Sequence, residues 1–120
     1  MSDIKQYNVL HVEDNLPLAD AMNEMFQYVQ PNRWIIKNVT SLASALEILR
    51  MYYFDLIIVD LNIVGSQGVD TLRTLRPIIK DTAMVVSNGA NGEAIERECT
   101  QLGAVGFFSK STPIDAKTFV

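Results

Sequence analysis

The sequence predicts an α/β domain in which helices cover both faces of a five-stranded parallel sheet. Short apolar runs of four or five residues alternate with longer stretches of helical periodicity along the chain, the pattern of successive β/α units. Two of those runs, Val9 to Val12 and Leu56 to Val59, stop on acids, Glu13-Asp14 and Asp60. The length of 120 residues suits one domain with a single ordinary core.

Each element follows from local pattern. Tyr7 to Val12 is the first strand. A helix follows, with Asn15 as N-cap and Pro17 in its first turn. Its apolar positions Leu18, Met22, Met25, Phe26 and Val29 recur at three and four residues, so one face meets the sheet. Pro31-Asn32 breaks it. Trp34 to Lys37 is a short second strand, placed at an edge because Lys37 and Asn38 interrupt it. Thr40 or Ser41 caps a second helix that buries Leu42, Ala45, Leu46 and Leu49. Asp55 to Val59 is the third strand, and Gly68 to Leu75 is the third helix, ending near Pro77. Ala83 to Val86 makes a fourth strand that stops at Ser87. Asn91 caps a fourth helix terminated by Gly103, a position where φ is often positive. Val105 to Phe108 is the fifth strand. Pro113 opens a last helix that is short or truncated, with room for roughly two turns.

Right-handed crossovers place every strand C-terminus on one edge. In the flavodoxin-like doubly wound order 2-1-3-4-5, strands one and three adjoin at the switch point where ligands bind. Glu13, Asp14, Asp60, Ser87 and Lys110 all fall at that edge. A carboxylate cluster there calls for a cation, because like charges repel.

Composition narrows the classes. Acids outnumber Lys plus Arg by 14 to 10, which weighs against direct binding of nucleic acid or an anionic membrane. Hydrophobic content of 48% with 20% charged residues excludes a disordered chain. The one cysteine, Cys99, excludes an internal disulfide and reads as a small core or boundary residue. Met1-Ser2-Asp3 lacks a basic signal-peptide start, and no apolar run approaches the ~20 residues of a membrane span. The expectation is a cytoplasmic domain. His11 reads as a strand residue of the core, and Met22, Met25 and Met51 as core filler.

Four short motifs now line up. They are Val12-Glu13-Asp14-Asn15, Val59-Asp60-Leu61-Asn62 with Gly68 beyond, Val86-Ser87, and Phe107-Phe108-Ser109-Lys110. In this order, each at the end of its strand, they resemble the receiver domain of bacterial response regulators over nearly the whole chain. The stretch around Asp60 and the tail Lys110-Ser111-Thr112-Pro113 are most similar to receivers that precede a helix-turn-helix output domain.

The resemblance implies a set of roles. Asp60 would accept a phosphoryl group in a Mg²⁺-dependent reaction. Asp14 and Asp60 would hold the metal directly, Glu13 through water, and Asn62 through its backbone carbonyl. Lys110 would pair with the phosphoryl group, Ser87 would be the switch hydroxyl, and Phe107 the switch aromatic. The donor would be a sensor histidine kinase or a phosphotransfer protein. The fourth helix, fifth strand and last helix would signal to an output domain or partner, a second copy included, to regulate transcription. Such a domain is no enzyme beyond promoting its own phosphorylation and autodephosphorylation. Residues 1–120 then form one receiver domain, and the short last helix suggests an excerpt of a longer regulator.

Three positions depart from the family pattern. Val64 stands where a proline is common, and Asn88 where a small residue normally follows the switch hydroxyl. Ser111 replaces the proline after the lysine, a bond commonly cis in the family, and a cis bond before serine costs about 2.5–4 kcal/mol. Two other functions compete. A constitutive interaction module is opposed by intact Asp14, Asp60 and Lys110. A flavin protein or phosphatase would need a Gly- or Ser/Thr-rich phosphate loop where Asn15-Leu16-Pro17 stands. Taken singly, Glu13-Asp14 could be helix N-terminal decoration, Asp60 a turn-forming acid, Ser87 a strand-end hydroxyl and Lys110 a solvated side chain; the joint coincidence at one edge favours the receiver.

Overall fold

Strands with apolar side chains on both faces, such as Val9 beside Leu10 and Ile57 beside Ile58, demand cover on both sides. The computed structural model, which describes residues 5–63, 66–79, 81–88 and 93–109, provides it. The elements are β1 (Tyr7–Val12), α1 (Leu16–Val29), β2 (Trp34–Val39), α2 (Leu42–Leu49), β3 (Leu56–Asp60), β4 (Asn62–Ile63), β5 (Ser66–Gln67), α3 (Asp70–Ile79), β6 (Ala83–Asn88), α4 (Glu93–Gln101) and β7 (Ala104–Ser109). Five parallel strands form the main sheet in the order β2-β1-β3-β6-β7, which is 2-1-3-4-5 counted over those five.

Side-chain alternation splits the core into two layers. Leu10, Val12, Ile57, Val59, Met84 and Val86 meet Leu42 and Ala45 of α2, Leu72, Leu75 and Ile79 of α3, and Cys99 of α4. On the opposite face Val9, Ile58 and Val85 meet Met22 and Phe26 of α1. Trp34 joins that second layer and packs its ring 5.1 Å from Phe26.

The caps follow the sequence closely. The Asn15 side chain accepts the Leu18 N–H at 3.1 Å, and a proline lies in the first turn of α1. Ser41, rather than Thr40, caps α2 by accepting the Ser44 N–H at 3.1 Å. Gly103 follows α4 with φ +101°, a backbone conformation that favours glycine, and the Arg76 side chain packs against it.

Four sequence expectations need correction. α3 does not end near Pro77 but runs through it to Ile79. Pro77 is exposed, so the carbonyl it deprives of a partner can face water, while burial of Leu75 and Ile79 holds the helix on the sheet. β2 continues past Lys37 to Val39, because the ladder to β1 extends through Val12↔Val39. A short antiparallel pair, Asn62↔Gln67 and Ile63↔Ser66, was not foreseen, since two-residue strands carry no periodicity. Met51, expected as core filler, is 64% exposed. The expected Asn91 cap and the last helix from Pro113 lie outside the described residues.

Candidate functional site

The C-terminal edge of the sheet brings two acid-bearing loops together. Glu13 and Asp14 follow β1 directly, and Asp60 is the last residue of β3, the neighbouring strand. Carboxylate oxygens of Glu13, Asp14 and Asp60 all lie within 4.8 Å of one another. Glu13 and Asp60 are buried, and Asp14 is exposed, leaving one side of the cluster open to solvent.

The first loop is fastened from the edge strand. The Glu13 N–H donates to the Val39 carbonyl at 2.9 Å, the last bond of the β1–β2 ladder. The Asn38 side-chain amide donates to the Glu13 carbonyl at 3.1 Å and to the His11 carbonyl at 3.0 Å. The Glu13 carboxylate accepts the Asn15 N–H at 3.1 Å, which turns it back toward the start of α1. His11 itself is buried, as its place in the strand suggested.

The second loop is fastened from the core. Ser87, in β6, stands in register beside Asp60 and is 1% exposed. Its carbonyl accepts the Leu61 N–H at 3.2 Å. The Leu61 carbonyl in turn accepts the buried Thr71 hydroxyl of α3 at 3.1 Å. Both backbone groups of the residue after Asp60 are therefore held, one by β6 and one by α3. Gly68, with φ +64°, makes the turn that brings α3 back to this point.

Phe107 lies on β7 beside Val86 and is half-buried against the layer under α2, α3 and α4. The backbone of Asn62 lies two residues past Asp60, in β4. Lys110 and Ser111 lie outside the described residues. Sequence reasoning missed Asn38 and Thr71. In the sequence Asn38 marks only a break in an apolar strand, and its amide is the available signal. Thr71 gave no signal, since a threonine in a helix is unremarkable until its neighbour across the fold is known.

An all-oxygen set of carboxylates suits a hard divalent cation such as Mg²⁺ far better than a soft metal. The fold and site define a doubly wound α/β domain with an acidic cluster at its switch point and a buried hydroxyl in register with the central acid. The family model described as the response regulator receiver domain matches residues 9–118, and the chain belongs to that family. It is therefore a signalling domain rather than a classical enzyme.

Relatives agree. The chain is 30% identical over 104 residues to the transcriptional regulatory protein MalR of Bacillus subtilis, covering 86% of this chain and 43% of MalR. It thus spans less than half the length of that relative. The receiver domain of the Francisella response regulator 1452 superposes with a TM-score of 0.81 at 18% identity, covering 94% of this chain and 91% of the other. A Burkholderia pseudomallei response regulator, solved with a phosphorylated aspartic acid, calcium ion and citrate, gives 0.77 at 20% identity, covering 93% and 63%. Among the described residues, no helix is long and apolar enough to cross a membrane.

Proposed function

We propose that Asp60 is the phosphoacceptor of this receiver and that Glu13, Asp14 and Asp60 hold Mg²⁺. One observation carries the reading: three carboxylates converge within 4.8 Å beside a buried serine in register with Asp60. A carboxylate oxygen of Asp60 forms a bond to phosphorus as the P–N bond of a phosphohistidine breaks. The electron pair departs on the imidazole nitrogen, and the product is a mixed anhydride. The phosphodonor would be a sensor histidine kinase or a phosphotransfer protein in the cytoplasm. When bound, Mg²⁺ neutralises negative charge on the acids and on the phosphoryl oxygens.

The residues divide the remaining work. Asp14 and Asp60 would bind the metal directly, Glu13 through water, and the Asn62 backbone carbonyl would add a further oxygen. Lys110 would supply a compact positive charge to a phosphoryl oxygen. The Ser87 hydroxyl would donate to another, and Phe107 would turn further inward behind it. Having no hydroxyl, Phe107 would report by burial alone. The face made by α4, β7 and the last helix would then pass the signal to an output domain, a partner protein or a second copy. MalR, a transcriptional regulatory protein, supports a transcriptional output. Return to the resting state would follow hydrolysis of the anhydride promoted by the domain itself.

Acetyl phosphate tests the assignment, since it can donate its phosphoryl group as acetate leaves. In Mg²⁺, intact mass should show one added phosphoryl group on the wild-type chain and none on Asp60→Asn. Equal labelling of both would place the acceptor elsewhere.

A further inference from the structure

The β1–β2 ladder ends at Glu13, yet the cation-binding acids lie at and beyond that end. Past the bond from the Glu13 N–H to the Val39 carbonyl, 2.9 Å long, the chain leaves the sheet toward α1. The Glu13 carbonyl is then beyond the reach of regular strand pairing. Asn38 meets it: the side-chain amide nitrogen lies 3.1 Å from the Glu13 carbonyl oxygen, 3.0 Å from that of His11 and 3.3 Å from that of Val39. One nitrogen with two hydrogens thus serves three carbonyls gathered at the parting of the two strands.

We propose that Asn38 is a positioning residue for the cation site, setting the Glu13–Asp14 peptide so that the Asp14 carboxylate meets those of Glu13 and Asp60. The inference rests on the reading of the three acids as the Mg²⁺ site. Its physical basis is the rigidity of the peptide unit. The carbonyl of Glu13, the N–H of Asp14 and the Cα of Asp14 lie in one plane. A donor that fixes the carbonyl therefore fixes the position of the Asp14 Cα and the N–Cα axis about which its side chain is set. Asp14 is the exposed member of the cluster, so packing does little to aim it. Glu13 is already oriented by the Asn15 N–H at 3.1 Å, and Asp60 by its strand. Asp14 is the acid whose placement depends most on its own backbone.

The residue type fits the task. A short side chain with two donors can bridge adjacent strands from an edge position. Aspartate would present acceptors to three carbonyls, and leucine would fill similar space with no donor. An Asn38 that merely finished the strand would matter to stability and leave metal affinity alone.

Mg²⁺ titration by calorimetry separates these roles, using the wild-type chain, Asn38→Leu, Asn38→Gln, Asp14→Asn and Ile79→Val. Ile79 is a buried core residue of α3, chosen to lower stability without touching the acids. Asn38→Leu should weaken Mg²⁺ binding roughly tenfold, the lower range for loss of a group that orients a metal ligand. Asn38→Gln, which keeps the donor, should recover most of the loss, and Ile79→Val should bind as the wild type does. In the metal-free state the Asp14 and Asn15 amide resonances should shift in Asn38→Leu. Wild-type affinity in Asn38→Leu, with binding abolished in Asp14→Asn, would overturn the positioning role and leave the metal site standing. Mg²⁺ binding absent from the wild type, or unchanged in Asp14→Asn, would overturn the site and the inference together. If Asn38→Leu does not fold, Asn38→Ser takes its place: an intermediate affinity supports the role, and wild-type affinity overturns it.

Discussion

The loops after β1 and β3 carry their acids to the same edge of the sheet but are held by different means. The Glu13-Asp14 loop hangs from an edge strand, through the half-buried amide of Asn38 and the Val39 carbonyl. The residue after Asp60 is clamped inside the core, between the Ser87 carbonyl of β6 and the buried Thr71 hydroxyl of α3. Water can replace a lost hydrogen bond at an edge and cannot at a buried site. The same kind of contact should therefore matter to stability at one loop and to ligand geometry at the other. This suits the proposed chemistry, in which Asp60 must stay fixed during attack while the exposed Asp14 adjusts to an incoming cation.

Breaking the core clamp should have the largest effect on folding. Thr71→Val keeps the shape of the side chain and removes its hydroxyl from the Leu61 carbonyl. The expected loss is about 1–3 kcal/mol, read as a lower urea midpoint at unchanged slope. A midpoint equal to the wild type would show that water reaches the Leu61 carbonyl and that the two loops are held alike.

Next in size is the metal's own contribution. Mg²⁺ at ten times its dissociation constant should stabilise the wild-type chain by about 1.4 kcal/mol. Asp14→Asn should lose that gain, and without metal it should be at least as stable as the wild type because one like charge is gone. A melting temperature indifferent to Mg²⁺ in the wild type would instead mark a receiver that has lost its metal dependence.

Breaking the edge clamp should cost less. Metal-free Asn38→Leu is expected to lose only about 0.5–1 kcal/mol in the same urea experiment, because the amide is half-buried and the Val39 carbonyl keeps its bond from the Glu13 N–H. A loss larger than that of Thr71→Val would reverse the comparison.

The smallest effect lies outside both loops and serves as their reference. Burial holds the pKa of the Cys99 thiol above its usual range, and the nearby carboxylates of Glu98 and Glu96 push in the same direction. The folded state thus keeps the thiol proton more tightly than the unfolded chain does. Its contribution to stability is complete below the unfolded thiol pKa, about 8.5, and declines as pH rises through the folded value. Stability curves of wild type and Cys99→Ala should run parallel at neutral pH and converge in alkali. Parallel curves throughout would mean that the thiol is more open to water than its 1% exposure implies.

Much of this arrangement was legible beforehand. Tyr7 to Val12 was read as a strand with the same limits that the structure shows, because a run of apolar residues closed by acids is a strong local signal. Asn15 and Gly103 likewise announced a cap and a helix end, since each follows from backbone geometry at a single residue, whereas Gly68, expected as the first residue of α3, instead makes a turn ahead of it at φ +64°. The end of α3 was not legible. A proline argues for termination locally, and only the burial of Ile79 on the sheet decides that the helix continues. Met51 was misread for the converse reason: an apolar residue next to a helix looks like core until the direction of the chain is known.

The sequence by itself determined the five strands of the main sheet, the cap at Asn15 and the residue types at the acidic edge, because propensity, capping and apolar patterning act over a few residues. It also determined the family, since the four motifs stand in order and the family pattern spans residues 9–118. Only the tertiary structure decided how the acids are held. Asn38 reaches Glu13 across 25 positions of chain and Thr71 reaches Leu61 across 10. Those contacts exist because parallel pairing and helix packing bring distant backbone groups within hydrogen-bond range, and no local pattern in the sequence records which carbonyl a polar side chain will find.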